Sequence, residues 1–268
     1  MTVGMLPIMG LAALSLVMLA GWAWQRRTGN AGLIDVLWAA GLGVLALFYA
    51  VLAPGWLPRR VLVAVLAGTW SIRLANHLLA RLRREAEDGR YAALRRKLGS
   101  GFDRWMFWFF QGQALLASLL SLAFLVPCSS GVVGWRVWDI LAVVVWTVAL
   151  AGEAVADRQL RVWRADPANR GRTCRIGLWR WSRHPNFFFE WLHWFTYPVL
   201  GVGLAFGSAT WLAPALMLFL ILRVTGIPPT EEQALRTRGE DYRAYQRTTS
   251  SFFPWPPKNE PELVAGSR

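Results

Sequence analysis

Charged residues are scarce in this sequence, and they are unevenly distributed. Only 17% of the 268 residues are charged, whereas 55% are hydrophobic and 13% are aromatic. The charges are gathered into blocks between long apolar runs, a pattern that a soluble domain would not need. The composition therefore indicates a polytopic membrane protein that is in contact with the lipid bilayer.

Seven apolar runs reach the length of about 20 residues that crosses a bilayer. Short cytoplasmic loops are enriched in Lys and Arg. With the N-terminus outside, only Arg59, Arg60 and Arg136 fall in outer loops, and 25 of the 29 basic residues lie inside. The prediction is an all-α bundle of about seven transmembrane helices with a cytoplasmic C-terminus. The predicted spans are residues 4–24, 33–53, 61–80, 105–126, 137–156, 186–206 and 209–226.

Cysteine and histidine are also rare, with two and three residues respectively. The predicted topology places Cys128 outside and Cys174 inside, which argues against a disulfide, and two cysteines are too few for a metal site. Glu190 and His193 form an E-x-x-H pair like one half of a di-iron site. No second such pair exists, so no metal is expected.

No internal repeat is evident, and this absence weakly disfavours a transporter. We expect one domain over residues 1–257, with a cofactor-binding half from about residue 150, and a disordered polar tail over 258–268. The net charge of +13 reflects membrane insertion and contact with anionic lipid. Nucleic acid is not an expected partner.

The stretch from Cys174 to Glu190, CRIGLWRWSRHPNFFFE, is where we expect the chemistry. Its arginines, including Arg175 and Arg183, suit bidentate contact with phosphate or carboxylate. Pro185 suits the first turn of a helix, so the backbone N–H groups near Asn186 would also favour an anion. The alternative is an interfacial loop whose arginines touch lipid head groups and whose tryptophans join an aromatic belt.

Polar residues on the predicted spans supply further candidates. Asp157, Arg161 and Arg164 share one helical face, where they could hold a ribose hydroxyl and phosphates or pair with one another. Asp35 lies at the start of the second span. His77 shares a face of the third span with Arg73 and Asn76, and polar groups at that depth usually point into a bundle or a wet cavity.

Several linked motifs resemble one family, the steroid 5-alpha-reductase-like integral membrane proteins, in their bacterial branch. They are LIDVLWAAG, EDGRYAALR, AGEAVADRQLRVWR, GLWRWSRHPNFFFEWLHW and GIPPTEEQALRTRGEDYRAYQRTTSSFFP, in that order, and they cover most of residues 31–257. The resemblance implies a seven-helix fold in a bacterial inner membrane. NADPH would enter from the cytoplasm, and a lipophilic substrate would arrive through the bilayer.

The resemblance also implies an activity and a set of residues. Reductases of this family add hydride to the beta carbon and a proton to the alpha carbon of an activated C=C bond. The adjacent Gln-Glu pair and the Tyr that hold the steroid carbonyl are missing from the second and third spans, so the proton-donor candidates are Tyr91, His77 and Asp35. The implied cofactor-binding residues are Asp157, Arg161, Arg164, Arg175, Arg183, His184, Asn186, Glu190, Tyr242 and Tyr245.

The isoprenylcysteine carboxyl methyltransferases share a similar C-terminal region, so an S-adenosylmethionine-dependent membrane methyltransferase is the alternative. NADPH carries a pyrophosphate and a 2′-phosphate and needs convergent arginines, whereas the sulfonium cofactor needs acids and aromatic rings. The eight arginines between residues 158 and 183 favour NADPH. A non-catalytic role in lipid binding or transport is the third reading.

Overall fold

The computed structural model describes residues 2–84 and 89–258. Within these residues the chain is helical and contains no strand, which agrees with the all-α prediction. The predicted tail lies outside the described residues except for Lys258. The α-helices are α1 (Met5–Thr28), α2 (Leu33–Leu52), α3 (Leu57–Arg84), α4 (Gly89–Leu98), α5 (Phe102–Ser129), α6 (Val137–Ala165), α7 (Pro185–His193), α8 (Thr196–Gly201), α9 (Leu212–Arg223) and α10 (Ile227–Thr248).

Six segments of the described chain are long and apolar enough to cross a membrane. Five of them contain α1, α2, α3, α5 and α6, which match the first five predicted spans. The sixth is Gly207–Thr248, but only its part before α10 is apolar, because α10 carries eight charged residues between Glu231 and Arg247. The protein is therefore an integral membrane bundle whose last long helix lies outside the hydrocarbon layer.

The structure differs from the prediction at the span 186–206. This stretch is not one helix: α7 ends at His193, two residues of turn follow, and α8 begins at Thr196. Pro198 explains the interruption, because its ring would clash with the carbonyl group of Trp194 and it has no N–H to donate. The backbone N–H groups of Trp194 and Phe195 bond three residues back instead.

The chain divides into two compact units. The first contains the residues up to Val143 together with Thr196–Ala213, and the second contains Val144–Phe195 together with the residues from Pro214 onwards. The boundary inside α6 lies close to residue 150, where the predicted cofactor-binding half begins. α7 and α8 belong to different units, so the interruption at Trp194 coincides with the passage of the chain from one unit to the other.

In the first unit, α2 packs on α3 and α5, and α1 packs on α5. The Ser71 hydroxyl donates to the Ala39 carbonyl group at 2.7 Å, which joins α3 to α2. Apolar side chains such as Ile8, Leu16 and Val44 are exposed on these helices. Exposed apolar surface of this extent is expected of helices that face lipid.

Two of the three arginines predicted in outer loops form ion pairs and hydrogen bonds that hold the first unit together. Arg59 is fully buried and binds both carboxylate oxygens of Asp139, at 3.1 and 3.0 Å. Arg136 also binds Asp139, and its guanidinium group donates to the carbonyl groups of Leu200 and Val202 at 2.6 Å each. These contacts fix the start of α6 to α3 and to the end of α8.

Residues 174–184, which precede α7, are called the basic loop. In the second unit, this loop is packed between α6 and the end of the described chain. The Trp179 indole donates to the Ala156 carbonyl group at 2.9 Å, and the Ser182 hydroxyl donates to that of Phe252 at 2.8 Å. Gly152 allows α6 to meet α7 closely, because a Cβ atom there would lie 2.3 Å from the Phe189 ring. The basic loop is therefore held in place before any ligand binds.

Candidate functional site

The side chain of Glu231, on α10, is the hub of a polar cluster in the second unit. Arg183 donates to it at 2.7 Å and Gln246 donates at 2.8 Å. His184 and Tyr242 lie 3.3 and 3.4 Å from the same carboxylate. We call these five residues the Glu231 cluster. It ties α10 to the two residues that precede α7.

The protonation states in the Glu231 cluster follow from burial and hydrogen bonding. Burial opposes the charge of Glu231, but the hydrogen bonds from His184, Arg183 and Gln246 and the charge of Arg183 outweigh it and lower its pKa to about 2. Burial lowers the pKa of His184, although Glu231 acts in the opposite direction. Burial, and then the charge of Glu231, raises the pKa of Tyr242 to about 12.

Near neutral pH, Glu231 is therefore a carboxylate, His184 is neutral and Tyr242 keeps its proton. A neutral imidazole next to a carboxylate must donate through Nε2–H to form the observed contact. Because Arg183 and Glu231 compensate each other, the Glu231 cluster carries no net charge. Any anion bound nearby would have to be neutralised by other residues.

Two further arginines lie over tyrosine rings of α10. The guanidinium carbon of Arg238 is 5.1 Å from the centre of the Tyr242 ring, and that of Arg175 is 5.7 Å from the Tyr245 ring. The two rings meet edge to face at 5.9 Å. Stacking of this kind orients a guanidinium group. The arginines of the loop and of α10 therefore converge.

A kink in α10 contributes to this convergence. Gly239 has φ 51° and ψ −122°, which is outside the helical region. L-residues rarely adopt a positive φ, so a glycine is favoured at this position. The kink lies directly between Arg238 and the segment with Asp241, whose carboxylate accepts from the Thr173 N–H at 2.7 Å and from Arg175 at 3.1 Å.

Arg164, at the end of α6, faces the same region. Burial raises the pKa of the Cys174 thiol, while a backbone hydrogen bond from Ile176 and then the charges of Arg164 and Arg238 act to lower it. Burial lowers the pKa of Arg238, and the like charge of Arg164 adds to that effect. Arg164 and Arg238 are therefore close enough for their positive charges to repel each other. Two such charges side by side favour the binding of an anion.

Buried polar atoms without a partner mark places where a ligand could bind. The Oδ1 atom of Asn186, in the first turn of α7, is buried and accepts no hydrogen bond within the described residues. The same holds for the Thr173 hydroxyl and the Trp163 indole N–H. All three belong to the second unit. Leaving such an atom unpaired costs about 1–3 kcal/mol, so a bound ligand that paired it would recover stability.

The remaining predicted cofactor residues have different environments. Arg161 is exposed on α6 and Asp157 is half-buried there. Glu190 accepts from the Trp194 indole at 3.4 Å. Tyr245 is buried, and its hydroxyl already donates to the carbonyl groups of Trp179 and Ser182. Tyr245 therefore holds the loop in place with its hydroxyl and offers only its ring to other groups.

The proton-donor candidates lie in the first unit. Tyr91 of α4 is buried, and its hydroxyl donates to the carboxylate of Asp35 in the first turn of α2 at 3.4 Å. Its ring also meets Phe109 edge to face, at 6.3 Å between ring centres. His77 and Asn76, expected to face a bundle interior, are both exposed on α3. The structure thus pairs two of the three candidates and leaves His77 apart.

The sequence analysis did not identify Glu231, Gln246 or Arg238 as site residues. Glu231 and Tyr242 are eleven positions apart, which would put them on one face of an uninterrupted helix, but the kink at Gly239 lies between them and the spacing alone does not account for their contact. Arg238 and Tyr242, four positions apart, are separated by the same kink. Among the described residues, no group of three or more His, Cys, Asp or Glu side chains is arranged to hold a metal ion.

Comparison with known proteins gives a family without an assigned activity. A family model described as protein of unknown function (DUF1295) matches residues 21–249. An uncharacterised protein of Schizosaccharomyces pombe is 25% identical over 263 residues, which cover 87% of this chain and 75% of the yeast protein. No solved structure matches this chain. The family match includes every residue of the Glu231 cluster and both members of the Tyr91–Asp35 pair.

Proposed function

The chain belongs to the DUF1295 family of proteins of unknown function, and from that premise we propose that it is an NADPH-dependent membrane reductase. Its substrate would be a lipophilic molecule with a C=C bond activated by a carbonyl group, such as a 3-oxo-4-ene steroid or another enone lipid. The proposal combines the geometry of the second unit with the resemblance of the motifs to the steroid 5-alpha-reductase-like proteins.

Positive charge without a counter-ion is the observation that carries the proposal. Of the eight arginines between residues 158 and 183, only Arg175 and Arg183 form ion pairs within the described residues. Arg161 and Arg164 are among the other six. NADPH carries a pyrophosphate and a 2′-phosphate, and guanidinium groups are the side chains best shaped to bind them.

The unpaired polar atoms near the loop also suit this cofactor. An amide oxygen at Asn186 could accept a hydrogen bond from the NH₂ of a nicotinamide carboxamide group. The start of α7 adds the positive end of a helix dipole. The Thr173 hydroxyl, next to Arg175 and Asp241, could bind a phosphate or a ribose oxygen. Arg161, Arg164, Arg175 and Arg238 would then hold the phosphates.

The proposed reaction needs a hydride and a proton. Bound NADPH would supply the hydride for the beta carbon. The chain would supply the proton for the alpha carbon, and we assign that role to the Tyr91 hydroxyl, which Asp35 positions. In the structure the one proton of that hydroxyl is donated to Asp35, so the O–H would turn from the carboxylate to the substrate to deliver it.

The methyltransferase alternative is less well supported by the side chains of the second unit. S-adenosylmethionine has a positive sulfonium centre, which acidic groups stabilise. Glu231 is already bound by Arg183, His184 and Gln246, and Asp241 is bound by Arg175 and the Thr173 N–H. These two acids are therefore committed to the protein itself.

A thermal-shift titration of the detergent-purified chain with NADPH, NADH and S-adenosylmethionine tests the cofactor. A ligand at 100 times its dissociation constant stabilises the native state by about 2.7 kcal/mol. We expect a shift with NADPH that Arg164→Gln diminishes and that Arg27→Gln, a control at an exposed arginine of the first unit, leaves unchanged. A shift with S-adenosylmethionine alone would contradict the proposal and favour the methyltransferase.

The proton donor is tested by turnover, measured as loss of the reduced-nicotinamide absorbance with a panel of enone lipids. Tyr91→Phe should preserve the NADPH shift and reduce kcat by roughly 10²-fold or more, since general acid catalysis contributes about that much. His77→Gln provides the comparison, because its side chain is exposed. Loss of turnover in His77→Gln but not in Tyr91→Phe would reverse the assignment.

A further inference from the structure

A cavity of about 320 Å³ lies at the C-terminal end of α10. It is lined by the end of the basic loop, the last turn of α10 and the segment that follows, as far as Lys258. None of the described residues that line it is acidic. The cavity therefore has a strongly basic wall, and the proposed reduction assigns it no role.

The positive charge available in the cavity comes from Arg247 and Lys258. Arg183 also lines it, but its guanidinium group is already bound by Glu231 and by the carbonyl groups of Gln246 and Thr249. Arg247 lies 4.0 Å from Glu240, and both side chains are largely exposed. Lys258 forms no ion pair within the part of the chain that is described.

Hydroxyl groups complete the polar wall. The side chains of Ser250 and Ser251 line the cavity and make no hydrogen bond to other described residues. Two cations with adjacent hydroxyl donors are what a phosphate group requires, since its oxygens accept both charged and neutral hydrogen bonds. A carboxylate offers only two oxygens and would use this wall less completely.

The helix end does not compete for these cations. A helix C-terminus carries partial negative charge on its last carbonyl groups, which would otherwise repel an anion. Here Arg183 binds the carbonyl groups of Gln246 and Thr249, and the Lys258 N–H binds that of Thr248 at 2.8 Å. The side chains of Arg247 and Lys258 remain available to a ligand.

Exposed aromatic side chains surround this part of the second unit. Trp255 lines the cavity and is 69% exposed, while Phe253 and Trp181 are 51% and 43% exposed. The backbone N–H of Trp255 donates to the backbone carbonyl group of Trp181 at 2.9 Å, which joins the two segments that carry these tryptophans. Trp beside Lys and Arg is the composition of a membrane–water interface. A site for a soluble anion alone would not require it.

We propose that this C-terminal cavity binds the phosphate group of an anionic phospholipid of the surrounding bilayer. Arg247 and Lys258 neutralise the phosphate, Ser250 and Ser251 donate to its oxygens, and Trp181, Phe253 and Trp255 lie at the level of the head groups. The predicted topology places this segment on the cytoplasmic side, where basic segments near the membrane meet anionic lipid. The lipid would anchor the end of α10 and, through Arg183, the basic loop.

The test measures lipid binding by the full chain in zwitterionic detergent micelles. Dioleoylphosphatidylglycerol or dioleoylphosphatidylcholine is added stepwise, and thermal stability is followed. We expect the anionic phosphatidylglycerol to raise the melting temperature and the zwitterionic phosphatidylcholine to have little effect. Each basic side chain contributes about fivefold to binding of anionic lipid, so the double variant Arg247→Gln, Lys258→Gln should require at least tenfold more lipid.

Arg236→Gln is the matched control, because Arg236 is an exposed arginine of the same helix outside the cavity. It should leave the lipid titration unchanged. An equal lipid response in the double variant, the control and the unmodified chain would overturn the proposal. If the double variant kept its lipid response but lost a stabilisation by inorganic phosphate or NADPH, the cavity would hold a soluble phosphate ester, and the lipid assignment would be wrong.

Discussion

Two arginine–carboxylate clusters, one in each unit, show how differently this chain uses the same pair of groups. Around Asp139, the two arginines Arg59 and Arg136 bind one carboxylate and four backbone carbonyl groups. Arg59 and Asp139 are almost fully buried, at 0% and 1% exposed. The buried Nε of Arg136 is the one guanidinium nitrogen of this cluster without a partner among the described residues.

The Glu231 cluster is more open. Its arginine and carboxylate side chains are 10% and 17% exposed, and neutral donors from His184, Gln246 and Tyr242 complete it. Its member His184 precedes Asn186 by two residues, and the buried side-chain oxygen of Asn186 has no partner among the described residues. Arginines without counter-ions lie in the same segment between α6 and α7. The difference between the two clusters is therefore one of exposure: the Arg59–Asp139 pair is enclosed by the fold, whereas the Arg183–Glu231 pair is partly accessible, as the proposed cofactor site requires.

The largest effect is expected from Arg59→Met. It leaves the buried Asp139 with only Arg136 as an ionic partner, and removing one member of a buried ion pair typically costs about 3–5 kcal/mol. Chemical denaturation in detergent would measure the loss in the free energy of unfolding. The double variant Arg59→Met, Asp139→Leu should recover much of it. A loss below about 1 kcal/mol in the single variant would mean that the cluster does not hold the first unit together.

Glu231→Gln should have the next largest effect. The variant keeps the size of the side chain but leaves the Arg183 charge without its counter-ion, and hydrogen bonds to charged groups contribute about 1.5–3 kcal/mol. Its neighbour Glu232 is exposed and pairs only with Arg236, so Glu232→Gln should change stability by less than about 0.5 kcal/mol. Equal losses in the two variants would argue against a special role of Glu231.

The stability that the Glu231 cluster contributes should also depend on pH. His184 has a folded-state pKa below its ordinary value, so its contribution to stability is complete above about pH 6.5 and declines as the pH falls towards the lowered pKa. The slope from one such group is at most about 1.4 kcal/mol per pH unit. The contribution of Glu231 is present above its unfolded pKa and is lost as the pH falls towards 2.

Melting temperatures recorded between pH 8 and pH 5 would test this prediction. The decline should be shallower in His184→Gln, which has no proton to gain at that position. A variant at an exposed histidine, His77→Gln, should retain the slope of the unmodified chain. Identical slopes in all three proteins would show that the burial of His184 does not affect stability in this range.

The smallest effect on stability is expected from Asn186→Leu. Because the side-chain oxygen of Asn186 is buried without a partner, its removal should change the free energy of unfolding by no more than about 0.5 kcal/mol, or should raise it. NADPH binding should weaken by roughly tenfold, the usual value of one lost hydrogen bond to a ligand. A lower free energy of unfolding with unchanged NADPH binding would mean that Asn186 has a structural role.

Local patterns in the sequence predicted much of this protein. The five helices α1, α2, α3, α5 and α6 follow from apolar runs of membrane length, and the start of α7 follows from Pro185. Candidate residues Arg183, His184 and Tyr242 meet in one cluster, and Tyr91 meets Asp35. Arg183 was notable as a charge in an aromatic loop and Asp35 as an acid at the start of an apolar run, whereas His184 and Tyr242 were implied by the resemblance to the reductase family and Tyr91 was noted in a charged loop.

What the sequence determined by itself is the class of the protein: long apolar helices, charged segments between them and a basic aromatic loop before a helix. Tertiary structure alone decided which side chains meet. Glu231 binds residues 47 and 48 positions away, and Arg59 binds an acid 80 positions away. Helical periodicity relates only residues of the same helix, whereas these partners belong to different elements. Pairings over such distances depend on how the helices pack and on where Pro198 and Gly239 interrupt them.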